Sequence, residues 1–189
     1  MAEWSGAKRF YKEAGVIEVA DGLLGVELDG RPVKTPAGSN LAVSSWSLAD
    51  AVAAEWAAQG ETIDPHSMPL CKLSATAIDR LSNNRDEVVG ITLMIAETDL
   101  LCYRAEEPAD LVARQKESWQ PELDWAKQEL SAEFTVTVGV LPINQPENAL
   151  QALQTALTEL DDFQLMGVSN AAAAAGSLIL AFGMQRGRI

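Results

Sequence analysis

The hydrophobic period changes once along this chain, and that change constrains the fold more than any single motif. From Val16 to Val43 short β-prone runs alternate with turn punctuation: Val16-Ile17-Glu18-Val19, then Asp21-Gly22, Leu24 to Leu28, Asp29-Gly30 and Pro36-Ala37-Gly38. Asp-Gly between apolar runs is a strong hairpin signal, because both residues tolerate the positive φ that a tight turn between twisted strands requires. Beyond Leu70 the apolar residues recur instead at helical spacing: Leu73, Ala77, Ile78 and Leu81, and later Leu150, Leu153, Leu157 and Leu160. The expected fold class is therefore α+β, a small antiparallel β-rich N-terminal lobe followed by a mainly helical C-terminal lobe.

One helix is expected inside the first lobe. Ser44 or Ser45 can cap it, Leu48, Val52 and Trp56 recur every four residues, and it ends near Gln59-Gly60. Asp64-Pro65-His66 and Met68-Pro69 then read as an extended linker, since each proline drives the residue before it out of helical geometry. The lobe boundary is placed there, giving 1–66 and 67–189. In the second lobe Pro108 opens a helix carrying Leu111, Trp119 and Trp125, Phe134 to Val138 reads as an isolated extended piece, and Ala171 to Met184 as one buried helix.

Charge narrows the partners. Fourteen basic against twenty-seven acidic residues leave a net charge of −13, which repels a phosphate backbone and an anionic membrane surface alike. No apolar run reaches the roughly 18 residues that span a bilayer. The start, Met1-Ala2-Glu3-Trp4-Ser5, lacks the pattern of a secretory or transit peptide, so a bacterial cytoplasm is expected, or a mitochondrial matrix if a leader has been removed.

Chemistry is thinly signalled. The one histidine, His66, lies in the proline-rich linker, five residues from Cys71, and the two cysteines, Cys71 and Cys102, sit in apolar stretches as reduced core thiols. Lys34-Thr35 lacks the glycines of a phosphate loop, and no Gly-x-Ser-x-Gly elbow occurs around Ser177, where Gly176-Ser177 is followed by Leu178 and Ile179. No metal site and no cofactor is expected. An enzyme using Cys71 or a carboxylate pair, Glu97 with Asp99 or Asp161 with Asp162, is the alternative to a binding protein. Asp99, beside the apolar run Leu100-Leu101-Cys102, needs a partner if buried, and Arg104 or Arg80 could supply it; a structural ion pair of Asp99 with Arg104 is expected.

Several segments together resemble the Atp12 family of ATP synthase F1 assembly chaperones. They are Lys8-Arg9-Phe10-Tyr11-Lys12, Leu28 to Pro36, Glu55-Trp56 with Gln59, Ile63-Asp64-Pro65 with Met68-Pro69-Leu70, Thr98 to Ala105, Arg114-Gln115, Trp119 and Asp124-Trp125. The resemblance implies a non-enzymatic chaperone, α-proteobacterial or mitochondrial, that binds the unassembled F1 α subunit, shields its β-facing surface and releases it on α/β ring assembly. It also implies a further helical segment beyond Gly187-Arg188, with acidic residues and a Trp-Gly pair, so the second lobe reads as truncated. A monomer is expected, with Arg114, Gln115, Trp119 and Trp125 of the helical lobe as partner-binding candidates.

Overall fold

A computed structural model describes residues 6–19 and 22–189. Met1 to Ser5, and Asp21 of the first Asp-Gly pair, lie outside them. The chain divides into two compact units, one up to Asn83 and one from Asn84.

The first unit is built on an antiparallel sheet of β1 (Ala14–Glu18), β2 (Leu24–Leu28), β3 (Arg31–Pro32) and β4 (Ala42–Val43). β2 is central: Val16 of β1 pairs with Val26, while Leu28 pairs with Arg31 of β3 and Leu24 with Val43 of β4. The turn from β2 to β3 is Asp29-Gly30, both at positive φ (49° and 78°), as the Asp-Gly pair predicts. The Asp29 carboxylate also accepts from the backbone N–H of Lys12 and Glu13, the latter at 2.8 Å, which ties the residues before β1 to the turn. Gly25 is required inside β2, since a Cβ there would lie 2.9 Å from the Val19 side chain.

Helix α1 (Trp46–Ala57) starts at Ser45, whose hydroxyl accepts from the Leu48 N–H, and it buries Ala49, Val52, Ala53 and Trp56 along one stripe. Helix α2 (Pro69–Thr76) has proline in its first turn and no cap from Met68. The Glu55 carboxylate supplies that cap from α1, accepting from the N–H groups of Leu70 and Cys71 at 2.8 Å each. Met68, Cys71 and Ala75 therefore join Tyr11, Val26, Leu28 and Trp56 in one core. The sequence places the boundary between residues 66 and 67. The division between compact units falls later, between Asn83 and Asn84, because α2 supplies core to the sheet and α1, and because Asn84 (φ −133°, ψ 25°) interrupts the helical backbone at that point.

The second unit is largely helical: the remainder of α3 (Ser82–Glu97), α4 (Ala109–Glu129), α5 (Glu147–Thr158), α6 (Asp162–Ala175) and α7 (Leu178–Gln185). Leu153 and Leu157 of α5 are buried, as their spacing predicts. Two expectations are corrected here. The segment Ala171 to Met184 is two helices, because Gly176 adopts the left-handed conformation that ends α6 (φ 66°) and the Ser177 hydroxyl caps α7 by accepting from the Leu180 N–H. The extended piece near Phe134 to Val138 is not isolated: β6 (Thr137–Val138) pairs in parallel with β5 (Tyr103–Arg104). Among the described residues no helix is long and apolar enough to cross a membrane.

Candidate functional site

Several of the residues that suggested chemistry have roles within the fold. Cys71 is 1% exposed, and burial pushes its thiol up to about 12; burial does the same to Cys102, also to about 12. Both are protonated core thiols at neutral pH. We expect neither to react with an aromatic disulfide reagent in the native chain, and both to react on unfolding; rapid native labelling would contradict their burial. Asp161 caps α6 in a capping box with Gln164, Asp162 pairs with Arg85, and Glu97 is exposed. His66 serves through its backbone N–H, which donates to Asp64 at 2.9 Å. Among the described residues no group of three His, Cys, Asp or Glu side chains is placed to hold a metal.

Asp99 is fully buried, but its partner is not the expected one. Its carboxylate accepts from the Leu101 N–H at 3.0 Å, the Ser177 hydroxyl at 2.9 Å and the Ile179 N–H at 3.2 Å. One carboxylate thus closes the turn at Leu100–Cys102 and the start of α7 together, and the Leu100 N–H donates to Gly176 O at 2.9 Å beside it. No ion pair joins Asp99 to Arg104 among the described residues. Two backbone N–H groups and a hydroxyl supply the carboxylate with three hydrogen bonds in place of a charged partner. Burial nonetheless raises the Asp99 carboxyl above its ordinary range.

Arg104 is held elsewhere. Its Nη1 donates to the Gln115 carbonyl at 2.8 Å, and its guanidinium lies 5.4 Å from the centre of the Trp119 ring. The Gln115 side chain accepts from the Ala105 N–H at 2.7 Å. Gln115 and Trp119, two of the expected contact residues, are therefore half-buried and seat Arg104 against α4. Trp125 is covered in the same way by Arg188, whose guanidinium lies 5.6 Å from its ring and pairs with Glu122 at 2.7 Å. Arg114 alone of the four is exposed.

The apolar surface lies outside the four expected contact residues of α4. In the parallel pair Val138 stands opposite Arg104, and the Gly139 N–H donates to Arg104 O at 2.8 Å, so the chain turns outward there. Val138 is 60%, Val140 88% and Leu141 78% exposed, three large apolar side chains within four positions. The signal was available as Val138-Gly139-Val140-Leu141-Pro142: an apolar run broken by Gly and Pro cannot continue a strand or helix into a core. On α3, Ile91 and Met94 are also exposed, at 57% and 62%.

A family model described as ATP12 chaperone protein matches residues 8–127. The mitochondrial protein atp12 of Schizosaccharomyces pombe is 25% identical over 192 residues, covering 95% of this chain; the chain spans 66% of that relative's length. The crystal structure of Atp12 from Paracoccus denitrificans superposes with a TM-score of 0.88 at 39% identity, over 97% of this chain and 78% of that one. A solved structure from Agrobacterium tumefaciens gives a TM-score of 0.89 at 39% identity, over 96% of this chain and 68% of that one.

Proposed function

We propose, from the premise that this chain belongs to the ATP12 chaperone family, that it is a non-catalytic holder of the unassembled F1 α subunit of ATP synthase. In this reading the chain works as a monomer, covers the surface of α that will face β, and gives it up when the α/β ring forms. The setting is a bacterial cytoplasm or a mitochondrial matrix.

Family membership carries the reading, and the exposed apolar tip at Val138, Val140 and Leu141 supports it. An unpaired subunit of an obligate ring exposes an apolar interface that aggregates unless it is covered. The cover must also come off. Burying three side chains of this size contributes roughly 1.5–3 kcal/mol each, against an association cost of about 4–15 kcal/mol. A patch of this size therefore holds a client weakly and reversibly, and a larger interface with β displaces it. Arg114, Trp119 and Trp125 of α4 flank the contact in this reading, and Gln115 acts through the seat it makes for Arg104.

Light scattering by isolated F1 α subunit, with and without the chain, tests the proposal. Suppression of aggregation by stoichiometric chain, relieved by added β subunit, is the expected result; no suppression would sink the reading. The pair Val140→Asp and Leu141→Asp is expected to weaken holding by about tenfold or more while leaving thermal unfolding unchanged, because neither side chain contributes to the core.

A further inference from the structure

We infer that the first unit carries a second recognition site, a basic-rimmed apolar cleft that takes an apolar side chain flanked by a carboxylate from an extended segment of the client. The inference rests on the client reading above and deepens it. The cleft, of about 270 Å³, is lined by Phe10, Leu28, Arg31, Val33, Lys34 and Trp56 among others. Leu28, Val33 and Trp56 belong to the buried core and form an apolar floor. Phe10 stands at the lip, 69% exposed, its ring set edge-on to Tyr11 at 5.3 Å.

The uncovered Phe10 ring supplies the apolar area a ligand would bury, while Leu28, Val33 and Trp56, almost wholly covered already, close the floor beneath it. The rim selects which ligand. Arg31 and Lys34 are both exposed, and among the described residues neither forms an ion pair. The Lys34 ammonium reaches only the neutral Asn40 side chain, at 2.5 Å. The acidic groups close by are engaged: Asp29 accepts from the Lys12 and Glu13 N–H groups, and Asp79 accepts from the Thr35 hydroxyl at 2.5 Å and the Ala37 N–H at 3.0 Å.

Two unpaired cations at the mouth of an apolar cleft complement a carboxylate next to an apolar side chain, with arginine suited to a bidentate contact. A second copy of this chain is disfavoured as the occupant, because two molecules of net charge −13 repel one another. The cleft thus offers the client a contact of different chemistry from that of the apolar tip, an apolar floor inside a charged rim.

The experiment titrates isolated F1 α subunit against the full chain, the double variant Arg31→Glu with Lys34→Glu, and Phe10→Ala, at low and high salt. Wild type is expected to bind and to weaken as salt rises; the double variant should bind about tenfold more weakly and lose most of that salt dependence, and Phe10→Ala should weaken binding with the salt dependence kept. All three replaced side chains are exposed, so melting curves should match wild type; if the double variant unfolds early, Phe10→Ala decides. Wild-type binding with both variants within twofold of it overturns this site while leaving the client reading standing, and absent wild-type binding overturns both. A wild-type dimer in sedimentation that the double variant abolishes would assign the cleft to a second copy and overturn the client assignment.

Discussion

Replacing Trp56 with alanine is expected to lower the stability of the first unit by about 3–5 kcal/mol, the upper range for truncating a buried aromatic side chain. Trp56 is 1% exposed, its backbone carbonyl accepts the Tyr11 hydroxyl at 2.7 Å, and the two rings meet edge to face at 5.8 Å. It joins the segment before the sheet, the helix α1 and the Cys71 side of α2 in a single cluster. The loss matches much of the total stability of an ordinary domain, about 5–15 kcal/mol. Urea denaturation followed by far-UV circular dichroism should show the first unit lost at far lower urea. A midpoint like that of wild type would mean the indole fills no essential space. Tyr11→Phe, which removes only the hydrogen bond, should cost about 1 kcal/mol.

The second large effect is expected at Asp99. Alanine there removes the acceptor of two N–H groups and a hydroxyl in a site with no exposure, and each donor left unpaired costs about 1–3 kcal/mol. Partial relaxation around the smaller side chain brings the expected total to about 3 kcal/mol. Asp99→Asn keeps one carbonyl oxygen but turns an amide N–H group toward other donors, so it should fall between wild type and alanine.

The pH dependence has a definite sign. The native Asp99 carboxyl is raised above its ordinary value, mainly by burial, so between those two values the native chain holds a proton that the unfolded chain has released. This group therefore makes stability fall as pH rises through that window, and a protonated Asp99 is the form the fold tolerates best. The difference in denaturation midpoint between wild type and Asp99→Asn, followed upward from about pH 4, should grow less favourable to wild type. A flat difference would show that the hydrogen bonds to the carboxylate offset its desolvation in full.

The segments that carried the family resemblance turn out to be the fold's fastenings. Arg9 donates to the carbonyls of Tyr11, Gln59 and Lys12 and lies against the Tyr11 ring; Asp29 ties the residues before β1 to the β2–β3 turn. Glu55 caps α2, Gln59 bonds Ser67 and the Asp64 N–H, and Asp99 clasps α7. A polar side chain that satisfies several buried donors at once has few substitutes, since any replacement leaves some of them unpaired. A contact surface has no such constraint from within its own chain. The apolar tip at Val138 to Leu141 lies outside those segments, whereas Phe10, Arg31 and Lys34 of the cleft lie inside them, where a motif pattern does not separate a fastening from a contact.

Features that depend on neighbours a few positions apart were legible in the chain alone. The Asp29-Gly30 turn, a serine cap at residue 44 or 45 and the apolar stripe of α1 follow from backbone conformations and side-chain spacing that act within one or two turns of chain; the structure selects Ser45. Tertiary structure decided everything that joins distant segments. Whether Asp99 meets Arg104 or Ser177, whether α2 belongs to the sheet's core, and whether β6 stands alone or beside β5 are settled by contacts between residues far apart in the chain. Charge and proximity in sequence favoured Arg104 as the partner of Asp99. The fold placed Ser177 there instead, where the carboxylate accepts three hydrogen bonds within one buried clasp, and held Arg104 on the Gln115 carbonyl and the Trp119 ring.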